Sequence, residues 1–154
     1  MEKTNVKILF NFYSDLLEKQ MVETVWAEVI DEEKGYYKIN NIPFYVPDVA
    51  SDDIVKAEFD KDEDFLVFKE AIEYSGNSII RVIKFDKTLE INALRDKFND
   101  LDCPSEKMGK EYFVMEVPEK VDYKIIKNEL QKMEESGIIS YEEAVLSDEH
   151  RQNL

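Results

Sequence analysis

The side chains that ordinarily carry catalysis are scarce in this chain. His150 is the only histidine and Cys103 the only cysteine. A Ser-His-Asp or Cys-His arrangement would have to be built on His150. That residue lies near the C-terminal end, where Asp148 to Leu154 reads as a frayed tail, so the sequence predicts a solvent-exposed imidazole. Cys103 follows Leu101 and Asp102 and precedes Pro104. A carboxylate neighbour does not activate a thiol, so Cys103 reads as a small buried apolar residue. Zinc needs several Cys or His ligands at close spacing, and no glycine-rich phosphate loop is present. The run Asp60-Lys61-Asp62-Glu63-Asp64 faintly resembles a calcium loop. It lacks the glycine and the distal glutamate such a loop requires. No catalytic residue, metal or cofactor is predicted.

Carboxylates dominate instead. The chain has 35 Asp and Glu against 20 Lys and Arg, a formal net charge of −15 on 154 residues. Apolar residues still make up 44%, enough for a packed core, so this is not an acidic disordered tail. Such a surface repels phosphate backbones and anionic membranes and attracts basic partners. Direct nucleic-acid binding is therefore not expected. The acid is concentrated early: residues 1–77 carry 18 acids against 8 bases, and residues 78–154 carry 17 against 12.

Three features stand out as candidate sites. The first is a pair of acidic turns, with Asp31, Glu32 and Glu33 in one and Asp60, Asp62, Glu63 and Asp64 in the other. The second is the polar-aromatic connection from Asn40 to Tyr45, which could equally be a plug closing one end of a barrel. The third is the turn Ser75 to Ser78, followed by Arg81. Trp26, Phe44, Tyr45, Asn77 and Arg81 together are candidate linings of a small-ligand crevice.

The elements that position these residues follow from periodicity. The first half reads as strands: Val6–Phe12, Glu23–Ile30, Tyr36–Ile39, Ile54–Phe59 and Phe65–Tyr74, joined by turn residues. Five strands at that spacing predict a small barrel or a curled antiparallel sheet. Ser78–Phe85 is apolar on both faces, as a strand buried on both sides would be. After it the period changes. Ile91, Leu94, Phe98 and Leu101 form one helical stripe, and Tyr123, Ile126, Leu130 and Met133 form another. Asp86 or Thr88 could cap the first helix, Asp122 the second, and Gly137 falls where a C-terminal glycine belongs. A weak strand at 104–108, a strand at Glu111–Val117 and a strand at Ile138–Leu146 complete the order. From Ser78 that order is strand, helix, strand, strand, helix, strand, the ferredoxin-like split pattern.

The predicted fold class is thus α+β, with a β-rich subdomain over 1–77, a ferredoxin-like α+β subdomain over 78–147 and a flexible tail over 148–154. No linker of glycine and serine separates the halves. The strand Ser78–Phe85 is expected to be shared between them, making one cooperative unit. No apolar run approaches the ~20 residues needed to span a bilayer, and no export signal is legible, so a cytoplasmic location is expected.

Four short motifs also carry a resemblance. They are Glu23-Thr24-Val25-Trp26-Ala27, Asn41-Ile42-Pro43-Phe44-Tyr45, Asp53-Ile54-Val55-Lys56-Ala57 and Ser75-Gly76-Asn77-Ser78-Ile79-Ile80-Arg81. In this order and spacing the chain resembles a bacterial domain family of unknown function, numbered four-two-six-five, over roughly residues 6 to 146. The resemblance implies a small, soluble, bacterial, often acidic protein and supplies no catalytic residues. Where members of that family often have histidine and threonine after the turn glycine, this chain has Asn77 and Ile79.

Charge, size and the lack of catalytic groups point to an acidic binding protein. The leading expectation is a bacterial immunity protein that neutralises a basic toxin domain. The alternative is a small-ligand-binding or regulatory module. An enzyme or a nucleic-acid mimic ranks below both.

Overall fold

A computed structural model describes residues 4–15 and 17–154. The chain divides into two compact units, Met1–Ser75 and Gly76–Leu154.

The first unit is a closed five-stranded barrel. Its strands are β1 (Asn5–Ser14), β2 (Lys19–Asp31), β3 (Tyr36–Ile39), β4 (Ile54–Asp60) and β5 (Phe65–Glu73). Neighbours in sequence pair antiparallel, and a short parallel pairing of β1 with β5, Ile8 opposite Leu66, closes the ring. Strand alternation decides what goes inside. Ile8 and Phe10 of β1, Val25 and Ala27 of β2, Tyr37 and Ile39 of β3, and Val55 and Ala57 of β4 form one buried cluster. Phe10 stacks on Phe68 with ring centroids 4.6 Å apart. The long connection between β3 and β4 adds Val46 and Val49 to this core, so it plugs the barrel end at which β3 finishes.

Trp26 does not join that core. It lies between Val25 and Ala27, both inward, so it points outward and is 48% exposed. Lys7, its partner across the β1–β2 pair, places its ammonium 4.9 Å from the indole ring centre.

The second unit carries strands β6 (Ser78–Lys84), β7 (Ser105–Met108), β8 (Tyr112–Val117) and β9 (Ile139–Val145) in one antiparallel sheet of order β7-β8-β6-β9. Helices α1 (Ile91–Asn99) and α2 (Tyr123–Glu135) follow β6 and β8. Their apolar stripes, Ile91, Leu94 and Phe98 and then Tyr123, Ile126, Leu130 and Met133, pack with Ile80, Val82, Phe113, Met115 and Ile139 in one core. Asp122 caps α2, its carboxylate accepting from the Lys124 amide at 3.0 Å. Gly137 follows that helix with a φ of 74°. At α1 the residue before the helix is Glu90, which makes no side-chain cap. Asp86 instead closes the preceding turn by accepting from the Thr88 amide.

Two expectations are corrected here. The strand Ser78–Phe85 is not shared with the barrel. β6 pairs with β8 on one side and β9 on the other, which uses both of its backbone edges within the second sheet. The apolar character of both its faces marks a central strand, and that is its place. The C-terminal segment is also not a frayed tail. Asp148–Gln152 forms a short helix, α3, whose N-cap Ser147 accepts from the His150 amide at 3.3 Å.

His150 is likewise not in solvent. It is fully buried, as is Ser78. The imidazole Nδ1 lies 2.5 Å from Ser78 Oγ, and Nε2 lies 3.0 Å from the Pro118 carbonyl oxygen. A carbonyl can only accept, so Nε2 carries the hydrogen and donates, leaving Nδ1 to face the serine hydroxyl. Ser78 Oγ also accepts from the Ser147 amide at 2.9 Å. Propensity near a chain end gives no sign of such a clasp, because it depends on a partner 72 positions away.

Candidate functional site

The pairing registers place the two acidic turns at one end of the barrel. β2 and β4 both run antiparallel to β3, so they run the same way, and both end at the same pole. The β2–β3 turn lies against β4 there, with the Gly35 carbonyl accepting from the Ala57 amide at 3.0 Å. Gly35 has a φ of 76°, and a side chain at this position would press on the Ala57 carbonyl. The plug formed by the β3–β4 connection is at the opposite end.

The carboxylates of the two turns divide by role. Asp31 Oδ1 accepts from the Lys34 amide at 3.1 Å, and Asp60 Oδ1 accepts from the Asp62 amide at 2.8 Å and the Glu63 amide at 3.3 Å. Asp31 and Asp60 therefore build their turns. Asp64 sits at a φ of 56°, a conformation that Asp tolerates better than most residues. Glu32, Glu33, Asp62, Glu63 and Asp64 are exposed. Burial pushes the Tyr37 phenol above its ordinary range, and the charge of Glu32 adds to the shift.

The candidate crevice residues fall in separate units. Trp26, Phe44 and Tyr45 belong to the barrel, and Asn77 and Arg81 to the second unit. The Phe44, Tyr45 and Val46 amides donate to the Glu23 carboxylate at 2.7, 2.8 and 3.1 Å. Asn41 Oδ1 accepts from the Trp26 amide at 2.7 Å. Asn77 Oδ1 accepts from the Glu119 amide at 3.0 Å. Arg81 pairs with Glu142 at 3.1 Å. Of the five, Asn77 alone borders an open depression of about 700 Å³ in the second unit, lined also by Glu119, Lys120, Asp122, Lys124 and Glu149.

The polar residues of the four motifs thus act as staples. Glu23 gathers three amides of the plug. Asp53, fully buried, accepts from the Ala50 amide at 2.9 Å and the Ser75 amide at 2.8 Å. Ser78 holds His150 and Ser147. Gly76, at a φ of 91°, leaves room for the Glu119 side chain, which lies where a Cβ would be. These contacts join residues far apart in sequence, so no local signal announced them.

Asp53 carries a pH signature. Burial raises its pKa above the usual 3.8, outweighing the two amide hydrogen bonds, which lower it. With the folded value above the unfolded one, the folded state binds more protons between the two, and this group adds stability as pH falls through that interval. Asp53→Asn will leave one of the two amides facing an NH₂ group and cost about 1–3 kcal/mol at neutral pH. The gap between wild type and variant will widen as pH drops toward 3.8, measurable by urea denaturation across pH.

Among the described residues no group of three His, Cys, Asp or Glu side chains is placed to hold a metal ion. The Ser78–His150 contact has the spacing of a nucleophile and its base, but Ser78 is fully buried and its oxygen also receives an amide, so the pair fastens α3. Tyr123, also buried, donates to Glu143 Oε2 at 2.5 Å, and Lys127 approaches both Glu143 oxygens at 3.3 Å. Burial, then Glu143, pushes the Tyr123 phenol far up. Cys103 is fully buried, and burial raises its thiol pKa to about 12, with Asp102 and Glu116 adding to the shift. Its modification by an aromatic disulfide reagent at pH 8 will therefore proceed no faster than the second unit opens. Immediate labelling of the native protein would contradict this.

The fold and this arrangement define a mixed α+β protein with two antiparallel sheets, an acidic barrel pole and polar staples between distant loops. The chain belongs to the family described as Domain of unknown function (DUF4265), whose profile matches residues 23–141. Its structure is similar to the crystal structure of a hypothetical protein from Neisseria gonorrhoeae, with 26% sequence identity and a TM-score of 0.80 over 96% of this chain and 99% of that one. No curated protein matches the chain. No helix among the described residues is long and apolar enough to cross a membrane.

Proposed function

We propose that this chain is an acidic binding protein that docks a basic protein partner through the barrel pole, and that it acts as a cytoplasmic immunity protein against a basic toxin domain. The observation that carries the reading is the strand register, which gathers seven carboxylates of two separate turns at one pole with only Lys34 and Lys61 among them. A concentrated charge of one sign speeds encounter with the opposite sign and penalises wrong partners. In the second unit, the strand order β7-β8-β6-β9 with helices after β6 and β8 supports a ferredoxin-like reading of that half.

The test uses charge reversal to lysine at Glu32, Glu33, Asp62 and Glu63, leaving Asp31 and Asp60 to hold their turns. The variant will keep the wild-type melting temperature to within a few degrees, because exposed loop charges contribute little stability. Used as bait in native extract, it will fail to retain basic proteins that the wild type retains at low salt. Equal retention by both proteins would sink the reading. A small-ligand role retains one specific support, the cleft around Asn77. Thermal-shift screening of metabolites against wild type and a Lys120→Ala, Lys124→Ala variant tests it.

A further inference from the structure

The barrel is finished differently at its two ends. One end is plugged by Val46 and Val49, both buried. At the acidic end no chain segment supplies a comparable plug among the described residues. Strand parity there turns Val6, Val29, Phe59 and Leu66 inward: each sits two or four positions from a buried core residue of its own strand or next to one across a pair. Val6, Val29 and Leu66 are only half-buried, and Phe59 is 59% exposed although it continues the inward series Val55, Ala57. Phe59 stands opposite Leu66 and immediately before the acidic turn that begins at Asp60. Ile30, just before the other acidic turn, is 47% exposed.

We propose that this open mouth is an apolar socket, with Phe59 as its centre, that receives one apolar side chain flanked by Lys or Arg from a basic protein partner. The inference rests on the reading of the pole as a docking surface and adds what that surface grips. An apolar centre enclosed by charge matches the anatomy of protein interfaces, where a few desolvated contacts dominate affinity and surrounding polar groups exclude water. The rim fixes the occupant's chemistry. Carboxylates on both turns disfavour an acidic segment and favour a basic one, while the half-buried valines and Leu66 offer no hydrogen bonds to a polar tip. Charge governs the rate of encounter, and the apolar contact governs how long the complex lasts.

Two dye-labelled synthetic peptides of equal positive charge test this by fluorescence anisotropy on the full chain. One is lysine-rich with a central leucine and tryptophan, and the other has serine at those two places. The proposal expects the apolar peptide to bind wild type about tenfold more tightly than the serine peptide. Phe59→Ser will erase that difference, and Phe59→Leu will keep most of it. Melting temperatures of both variants report the integrity of the barrel. Equal affinity of the two peptides for wild type would overturn the socket. So would a preference that survives in a folded Phe59→Ser variant. The fourfold charge reversal separates this outcome from failure of the pole itself. If it leaves the affinity of both peptides unchanged, the docking surface is elsewhere. If it weakens both while Phe59→Ser changes nothing, the pole stands and the socket falls.

Discussion

His150→Ala will lower the stability of the second unit by roughly 3 kcal/mol, the largest loss expected from a single surface-distant polar residue here. The substitution removes a fully buried ring that bonds Ser78 on one side and Pro118 on the other. It leaves the Pro118 carbonyl without this donor, and it opens a cavity beside Tyr123, whose ring centre is 5.6 Å from that of His150. Ser78 Oγ would keep the Ser147 amide, so part of the network survives. Truncation after Leu146 removes the clasp and the capped helix together and will cost at least as much. Urea denaturation followed by circular dichroism measures both. A variant within 0.5 kcal/mol of wild type, a bound set by ordinary surface substitutions, would mean that α3 contributes nothing to the fold. The expectation of a single unfolding transition for the whole chain rested on a shared strand. With β6 confined to its own sheet, that argument no longer applies.

Glu23→Ala will cost about 2–3 kcal/mol in the barrel. Its carboxylate receives three consecutive amides, those of Phe44, Tyr45 and Val46, in charge-assisted bonds. They hold the segment that carries Val46 and Val49 into the core. Without the carboxylate the plug loses its anchor, and amide hydrogen exchange at 44–46 will accelerate more than at β2. Glu23→Gln will be intermediate, since one carbonyl oxygen replaces two acceptors. If exchange at these amides is unchanged in Glu23→Ala, the plug is held by its apolar contacts alone.

Where a side chain's partner follows from period, the sequence was readable. The stripe Tyr123, Ile126, Leu130, Met133 is buried as its spacing requires, with Asp122 capping the helix and Gly137 after it. The turns at Asp31 and Asp60 are short-range structures whose aspartates bond amides two or three positions on, so their location was legible too. Their common pole follows from the pairing of β2 and β4 with β3. The outward position of Trp26 follows from the parity set by Val25 and Ala27, both buried. The buried state of His150 and the roles of Glu23, Asp53 and Ser78 were not legible. Each depends on partners 22 to 72 positions away for at least one bond. Ser78 and Glu23 stood in the motifs, yet a motif without its fold does not distinguish a staple from a site. The half-open barrel mouth was hidden for the same reason: Phe59 alternates correctly with Val55 and Ala57, and only the ring's closure shows that no described segment covers it.

The central claim is that the acidic barrel pole is the surface that engages a basic partner. The most direct measurement is quantitative capture from native extract with matched wild-type and fourfold charge-reversed baits over a series of salt concentrations. The account predicts a basic protein retained by wild type at low salt, released as ionic strength rises, and absent from the reversed bait at every concentration. Retention of the same proteins by both baits, with the same salt dependence, would contradict it.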